Sequence, residues 1–233
     1  MADFLHNLLF GIYPYIALAV LALGSIIRFD REPYSWRSGS SQILRRKQLM
    51  VGSVLFHVGV LFIFVGHLVG LLTPIALFDA LGISHGAKQL LAIVAGGVAG
   101  VAAIIGATLL IHRRFFDPRV RAASNFSDNA IILILWVQLA LGLATIPLSA
   151  GHLDGHEMVK FMTWAQSIFT FRSGAASHIA DVHIIFKLHL FLGLTIFLLF
   201  PFTRLVHMLS APVRYLWRGG YQIVRSRRSL SHG

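Results

Sequence analysis

Five stretches of this chain, at about residues 4–27, 49–72, 87–111, 130–149 and 180–206, are apolar over roughly the 20 residues a helix needs to cross a bilayer. Within hydrocarbon every backbone N–H and C=O must find its partner inside the segment, so each run is predicted to be a transmembrane helix. The expected fold class is therefore all-α, a polytopic five-transmembrane-helix bundle. Composition agrees, since the 233 residues are 56% hydrophobic and only 12% charged, with a mean hydropathy of +0.74. Soluble domains of this size do not carry such values. There is no internal repeat and no low-complexity stretch.

The first stretch opens with Asp3, runs long and meets no Lys or Arg before Arg28, which is unlike a cleavable signal peptide. Lys and Arg fall unevenly between the stretches. Six lie in 28–48, four in 112–129 and six after Pro201, against Lys88, Lys160 and Arg172 on the alternate side, with Lys187 inside the fifth stretch. Cytoplasmic segments retain Lys and Arg, so the N-terminus is expected in the periplasm and the C-terminus in the cytoplasm of a bacterial inner membrane. The chain then divides into a five-helix domain over 1–209 and a basic cytoplasmic tail over 210–233.

A net charge of +11 on so apolar a chain points to membrane lipids as partners, and no stacking module or groove-reading motif supports nucleic acid. With no cysteine in the sequence, disulfides, thiolate-held Fe–S clusters, covalently attached c-type haem and cysteine nucleophiles are excluded. Between the fourth and fifth stretches polar and aromatic residues mix, and a short helix over about 158–169 is expected to lie on the outer membrane surface. Gly96, Gly97, Gly100 and Gly106 in the third stretch are read as close helix packing.

A titratable side chain inside the hydrocarbon is costly unless a partner takes its lone pair or proton, which makes it a functional hypothesis. His57 and His67 fall in the second stretch, within LFHVGVLFIFVGH, while His189 lies in and His207 at the end of the fifth, within KLHLFLGLTIFLLFPFTRLVH. These two stretches run antiparallel. His57 is thus expected opposite His207 near the cytoplasmic face, and His67 opposite His189 near the periplasmic face. Neutral imidazole is the usual ligand of a b-type haem iron, and a six-coordinate iron takes one from each side, so four such histidines suit two b haems. Helix arithmetic leaves a discrepancy, because His57 to His67 covers about 15 Å while His189 to His207 covers about 27 Å if the fifth stretch stays helical. A kink at Pro201 is expected to absorb part of it. The alternative for any single histidine is a packing role. His6, His85, His112, His152, His156, His178, His183 and His232 sit at span ends or in loops, and the i, i+4 pair His152 and His156 has no third ligand to make a metal site.

Taken together, IYPYIA at 12–17, FHVG and FVGH in the second stretch, LTP at 72–74, PRVRA at 118–122, TIPLSA at 145–150, WAQS at 164–167, KLHL at 187–190 and LFPFTRLVH at 199–207 closely resemble the gamma subunit, the cytochrome b component, of membrane-bound respiratory nitrate reductases. The resemblance runs over nearly the whole chain. It implies two b haems, one held by His67 and His189 on the periplasmic side and one by His57 and His207 on the cytoplasmic side. It implies as partners an Fe–S beta subunit docked from the cytoplasm and a molybdenum-containing alpha subunit that reduces nitrate. It also implies quinol oxidation beside the periplasm-side haem, where a lysine just before the third span is associated with quinol. Lys88 matches that place, although 75–87 is where the sequence follows the family pattern least well; the other reading is a lysine at a helix start that extends outward to the membrane interface. Gly66 and Gly70, flanking His67, leave room for a quinol ring or else serve helix packing.

Protons from quinol are then expected to leave outward through Lys88, His85 or His183, while Arg113, Arg114 or Arg204 on the inner side and Lys187 on the outer are candidate partners for haem propionates or else pair with lipid phosphate. Three competing readings remain at this point. One is a quinone-linked cytochrome b subunit of another oxidoreductase, such as a formate dehydrogenase or hydrogenase; another is a transporter with intramembrane histidines; the third is an inert membrane anchor.

Overall fold

The computed structural model describes residues 1–36 and 44–210, and the basic tail expected over 210–233 lies, apart from Ser210, outside the described residues. Among the described residues all regular structure is helical. Five helices are long and apolar enough to cross a membrane: Asp3–Arg31, Arg46–Leu72, His85–Phe116, Phe126–Ala150 and Ile184–Phe202, called spans one to five below. Each starts and ends within about five residues of the apolar runs read from the sequence.

Spans two and three, three and four, four and five, and five and one pack against one another in turn, while spans two and five do not pack closely. The bundle is thus an arc with a gap between its second and fifth members. Small residues set the tightest joint. A Cβ at Gly59 would lie 2.6 Å from the Ala99 carbonyl oxygen and 2.8 Å from the Ala103 Cβ, and one at Gly52 3.2 Å from the Gly106 carbonyl. Gly100 and Gly97 similarly seat Leu143 and Ile146 of span four. The packing expectation for the third-span glycines holds for Gly97, Gly100 and Gly106. Gly96 is different: nothing lies within 4 Å of its would-be side chain.

Span five departs from the continuous helix expected over 180–206. Its α-helix, Ile184–Leu199, is followed by a 3-10 turn Phe200–Phe202, an extended Thr203 (φ −120°, ψ 178°) and a second 3-10 turn Arg204–Met208. Pro201 has no N–H and cannot continue the ladder. The carbonyls this break frees are taken by Arg28 of span one, whose Nη1 donates to Pro201 O at 2.6 Å and to Thr203 O at 2.8 Å. Gly24 makes room for the Pro201 ring, since a Cβ there would lie 2.7 Å from Pro201 Cγ.

The helix expected near 158–169 is present as His156–Phe169. It is more than a surface float, because Met162, Trp164, Ala165, Ser167 and Ile168 are buried. Trp164 Nε1 donates to Phe10 O at 2.9 Å, within a π-helical turn Leu8–Ile12 of span one, and Gln166 Nε2 donates to Leu71 O and Thr73 O at 3.1 and 2.9 Å. A π turn misaligns the ordinary ladder, and the indole bonds a carbonyl within it. Phe10, Ala17, Trp164, Ile168, Ile179 and Leu194 share one buried cluster at this end, and Ile131, Ile196, Phe200, Leu205 and Val206 another at the opposite end.

Candidate functional site

The gap between spans two and five is where the intramembrane histidines meet. His57 faces His207 and His67 faces His189, each pair with ring centroids 6.2 Å apart. The break in span five explains how both pairs close. From His189 to Leu199 is ten residues of helix, about the same 15 Å rise as from His57 to His67. The two 3-10 turns and the extended Thr203 return His207 to that level. The 27 Å separation rested on a helix that does not exist beyond Leu199.

The ring spacing has a chemical reading. An imidazole nitrogen lies about 1.2 Å from its ring centre and bonds a transition metal at about 2.0 Å, so two rings sharing one metal stand roughly 6.4 Å apart. Ring planes turn freely about the common bond axis, so interplanar angles of 72° and 43° are both compatible. Three of the rings have their tautomer fixed, because Nδ1 must donate to a carbonyl. The acceptors are Ser53 O at 2.8 Å for His57, Ile63 O at 2.8 Å for His67 and Arg204 O at 2.5 Å for His207. A ring so held keeps its Nε2 lone pair for a ligand, the second-shell arrangement of metal-bound histidine. His189 differs. Its Nδ1 is buried with no hydrogen-bond partner and its Nε2 meets only the Gln138 amide at 3.4 Å, which leaves the ring without a strong protein partner. A buried polar atom left so is uncommon. The donor set, with Nε2 left available on three rings and Nδ1 orphaned on the fourth, fits a b haem in each pair.

Gln138 is a site residue the sequence reading overlooked; its Nε2 also donates to His189 O at 3.1 Å. A lone amide in the middle of ILILWVQLALGLA was the signal. Gly142, one turn further, lies under the His189 ring, with a would-be Cβ 3.0 Å from Cε1.

A cavity of about 520 Å³ opens beside His57 and His207, walled by Arg46, Arg113, Arg114, Asp128 and Arg204 among others. Arg113 is buried and donates to Leu44 O at 2.7 Å, while Arg114 Nη1 and Arg204 Nε lie 3.8 and 3.5 Å from the two oxygens of Asp128. Arg113, Arg114 and Arg204 are therefore gathered at the His57–His207 pair. Lys187 is engaged elsewhere, donating to Ala180 O at 2.7 Å.

Lys88 does not extend outward from its helix start. It is 7% exposed, with Nζ 2.6 Å from Met162 Sδ and 3.7 Å above the centre of the Phe78 ring. Gly66 and Gly70 have nothing within 4 Å of a would-be Cβ, which removes the helix-packing reading for both. His85 Nε2 is 3.7 Å from Asp79, and His183 caps span five by accepting the Ile185 N–H at Nδ1. His156 pairs with Asp154 at 3.9 Å, and no group of three metal-ligating side chains occurs among the described residues. At the edge of the same end, Lys160 binds Asp181 at 2.6 Å and Glu157 at 2.8 Å. Hydrogen bonding to Lys160 holds the Asp181 carboxyl below its ordinary range, and the Asp181 and Glu157 bonds raise the Lys160 ammonium above its own.

Two tiers of facing imidazoles in the gap of a five-span arc define a polytopic, all-helical membrane protein whose histidines meet in pairs between two helices. The family model of the nitrate reductase gamma subunit matches residues 6–227, and the chain belongs to that family. It is 52% identical over 225 residues to the respiratory nitrate reductase 1 gamma chain of Escherichia coli (strain K12), covering 97% of this chain and 99% of that one. Against the respiratory nitrate reductase 2 gamma chain of the same organism it is 51% identical over 228 residues, 98% and 100% of the two chains. Against the nitrate reductase gamma chain of Bacillus subtilis (strain 168) it is 38% identical over 221 residues, 95% and 98%. It is thus a membrane subunit of a nitrate-reducing oxidoreductase, in preference to the transporter, the anchor or the subunit of another enzyme.

Proposed function

We propose that the chain is the quinol-oxidising, dihaem cytochrome b subunit of a respiratory nitrate reductase in a bacterial inner membrane. The observation that carries this reading is the pair of 6.2 Å histidine contacts across the gap between spans two and five. His67 and His189 hold the periplasm-side haem, and His57 and His207 the cytoplasm-side one, a direction supported by the Lys and Arg distribution. A b haem between two imidazoles supplies one-electron transfer, so two of them link quinol on the periplasmic side to an Fe–S beta subunit and a molybdenum alpha subunit on the cytoplasmic side.

Quinol binds beside His67, where Gly66 and Gly70 leave the helix surface open. Lys88 takes the catalytic part there. A covered ammonium, with a sulfur and an aromatic face as its neighbours, has N–H donors to offer a quinol oxygen and favours its deprotonation. The released protons leave outward past His85 and His183, at the starts of spans three and five. Carrying an electron inward against the membrane potential stores about 2.3 kcal/mol per 100 mV.

The test is a reduced-minus-oxidised optical spectrum with pyridine haemochrome quantitation on the wild type, His57→Ala and His67→Ala. Two b haems per chain, with a different one lost in each variant, are expected. A folded wild-type protein without b-type absorbance would overturn the reading.

A further inference from the structure

Asp128, at the start of span four, belongs to neither histidine pair, yet it stands between the cations that do border one of them. Its two oxygens face Arg114 at 3.8 Å and Arg204 at 3.5 Å, and its side chain is only 17% exposed. Arg114, Asp128 and Arg204 line the cavity of His57 and His207, and the same three line a second, polar cavity of about 570 Å³ that includes Arg28, Ser124 and Thr203. The triad is the wall between the two. Among the described residues lining either cavity, Asp128 is the single carboxylate. Arg114 Nη1 is buried and makes no hydrogen bond, so it is held by charge alone, with a donor to spare.

We infer that Asp128 is a positioning residue that holds Arg114 and Arg204 at the wall of the inner histidine cavity and, by its charge, sets the redox potential of the group bound between His57 and His207. This rests on the haem reading above. A fixed negative charge beside a centre that gains an electron disfavours the reduced form, and an added positive charge favours it. Both effects are large only where the charge is shielded from water, and the low exposure of the triad provides this. His67 and His189 lie at the other end of spans two and five, about 15 Å along the helices, where the effect is much weaker.

The experiment is an optical redox titration of the membrane-embedded complex carrying Asp128→Asn, Asp128→Glu or Arg204→Gln. In Asp128→Asn the b component lost in His57→Ala is expected to shift to higher potential while the component lost in His67→Ala stays in place. Asp128→Glu should return it toward the wild-type value. Arg204→Gln, which removes a cation from the same triad, should shift that component the opposite way, so the inference does not hang on one variant assembling. Two b components with unmoved potentials in Asp128→Asn and Arg204→Gln, or equal shifts of both components, would overturn this inference alone. Wild-type membranes lacking b-type absorbance would overturn the haem reading and this inference with it.

Discussion

An imidazole in hydrocarbon is tolerated when both nitrogens are accounted for, and at three of the four intramembrane histidines the accounting is local. His57 and His67 donate from Nδ1 to the carbonyl one turn back, so each helix orients its own ring, while His207 does the same within a 3-10 turn. His189 has no such tether, and its ring is positioned by what surrounds it, with Gly142 below and Gln138 alongside. Gly142→Val should therefore push the His189 ring from its place. The expected result is selective loss of the b component that His189→Ala removes, the other component staying, as read from a reduced-minus-oxidised spectrum. The two open glycines beside His67 make a complementary case, for a side chain at Gly70 meets nothing in the protein. Gly70→Leu is expected to leave both b components and the melting temperature intact while raising the KM for quinol several-fold in steady-state assays. An unchanged KM would move quinol away from this face.

Spans two and three are joined more tightly than any other pair because Gly52, Gly59 and Gly106 let backbone approach backbone. Without a hydrophobic driving force between helices in lipid, such close packing is what holds them. Gly59→Leu, forced against Ala99 O and Ala103, should destabilise by about 1–3 kcal/mol, seen as a lower thermal midpoint in detergent. Gly96→Ala should be silent. The helix His156–Phe169 is tied down differently, by Lys160 to Asp181, and that tie titrates. The Asp181 carboxyl is depressed by its bond from Lys160, so its stabilisation is present above the ordinary carboxylate range and is lost as pH falls through the lowered value. The raised Lys160 contributes below the ordinary lysine range and ceases as pH rises through its higher value. The difference in melting temperature between wild type and Lys160→Met should accordingly be constant near neutral pH and close toward zero in acid. At this scale the sequence was readable where length and apolarity decide. The five spans, the 158–169 helix and the antiparallel histidine order all follow from runs of residues. The end of span five did not, because a proline in a transmembrane segment can kink a helix or end it. The choice here falls to Arg28, a residue from the far end of the chain that caps Pro201 O and Thr203 O. Gln138 and Asp128 escaped for a similar reason, since each acquires its meaning from partners on other spans.

In the molecule as a whole, the arc from span two through three, four and five to one leaves the histidine gap between elements that touch little. The two ends of the arc are chemically unlike. One gathers Arg28, Arg45, Arg113, Arg114 and Arg204 near Asp117 and Asp128. The other carries Lys88, Lys160 and the Trp164 cluster. By the positive-inside rule the arginine end is expected to face the cytoplasm, where the beta and alpha subunits of the proposed complex would dock. The sequence offers a clean test, because it contains no cysteine and a single introduced thiol is therefore a unique label. Ser173 and Ala123 are both exposed and lie in segments on opposite sides, after the helix His156–Phe169 and between spans three and four. Ser173→Cys should react with a membrane-impermeant maleimide in intact spheroplasts, and Ala123→Cys only after the membrane is opened. The reverse pattern would turn the molecule over, placing His57 and His207 outside and leaving electrons from quinol on the wrong side of the membrane for a cytoplasmic partner.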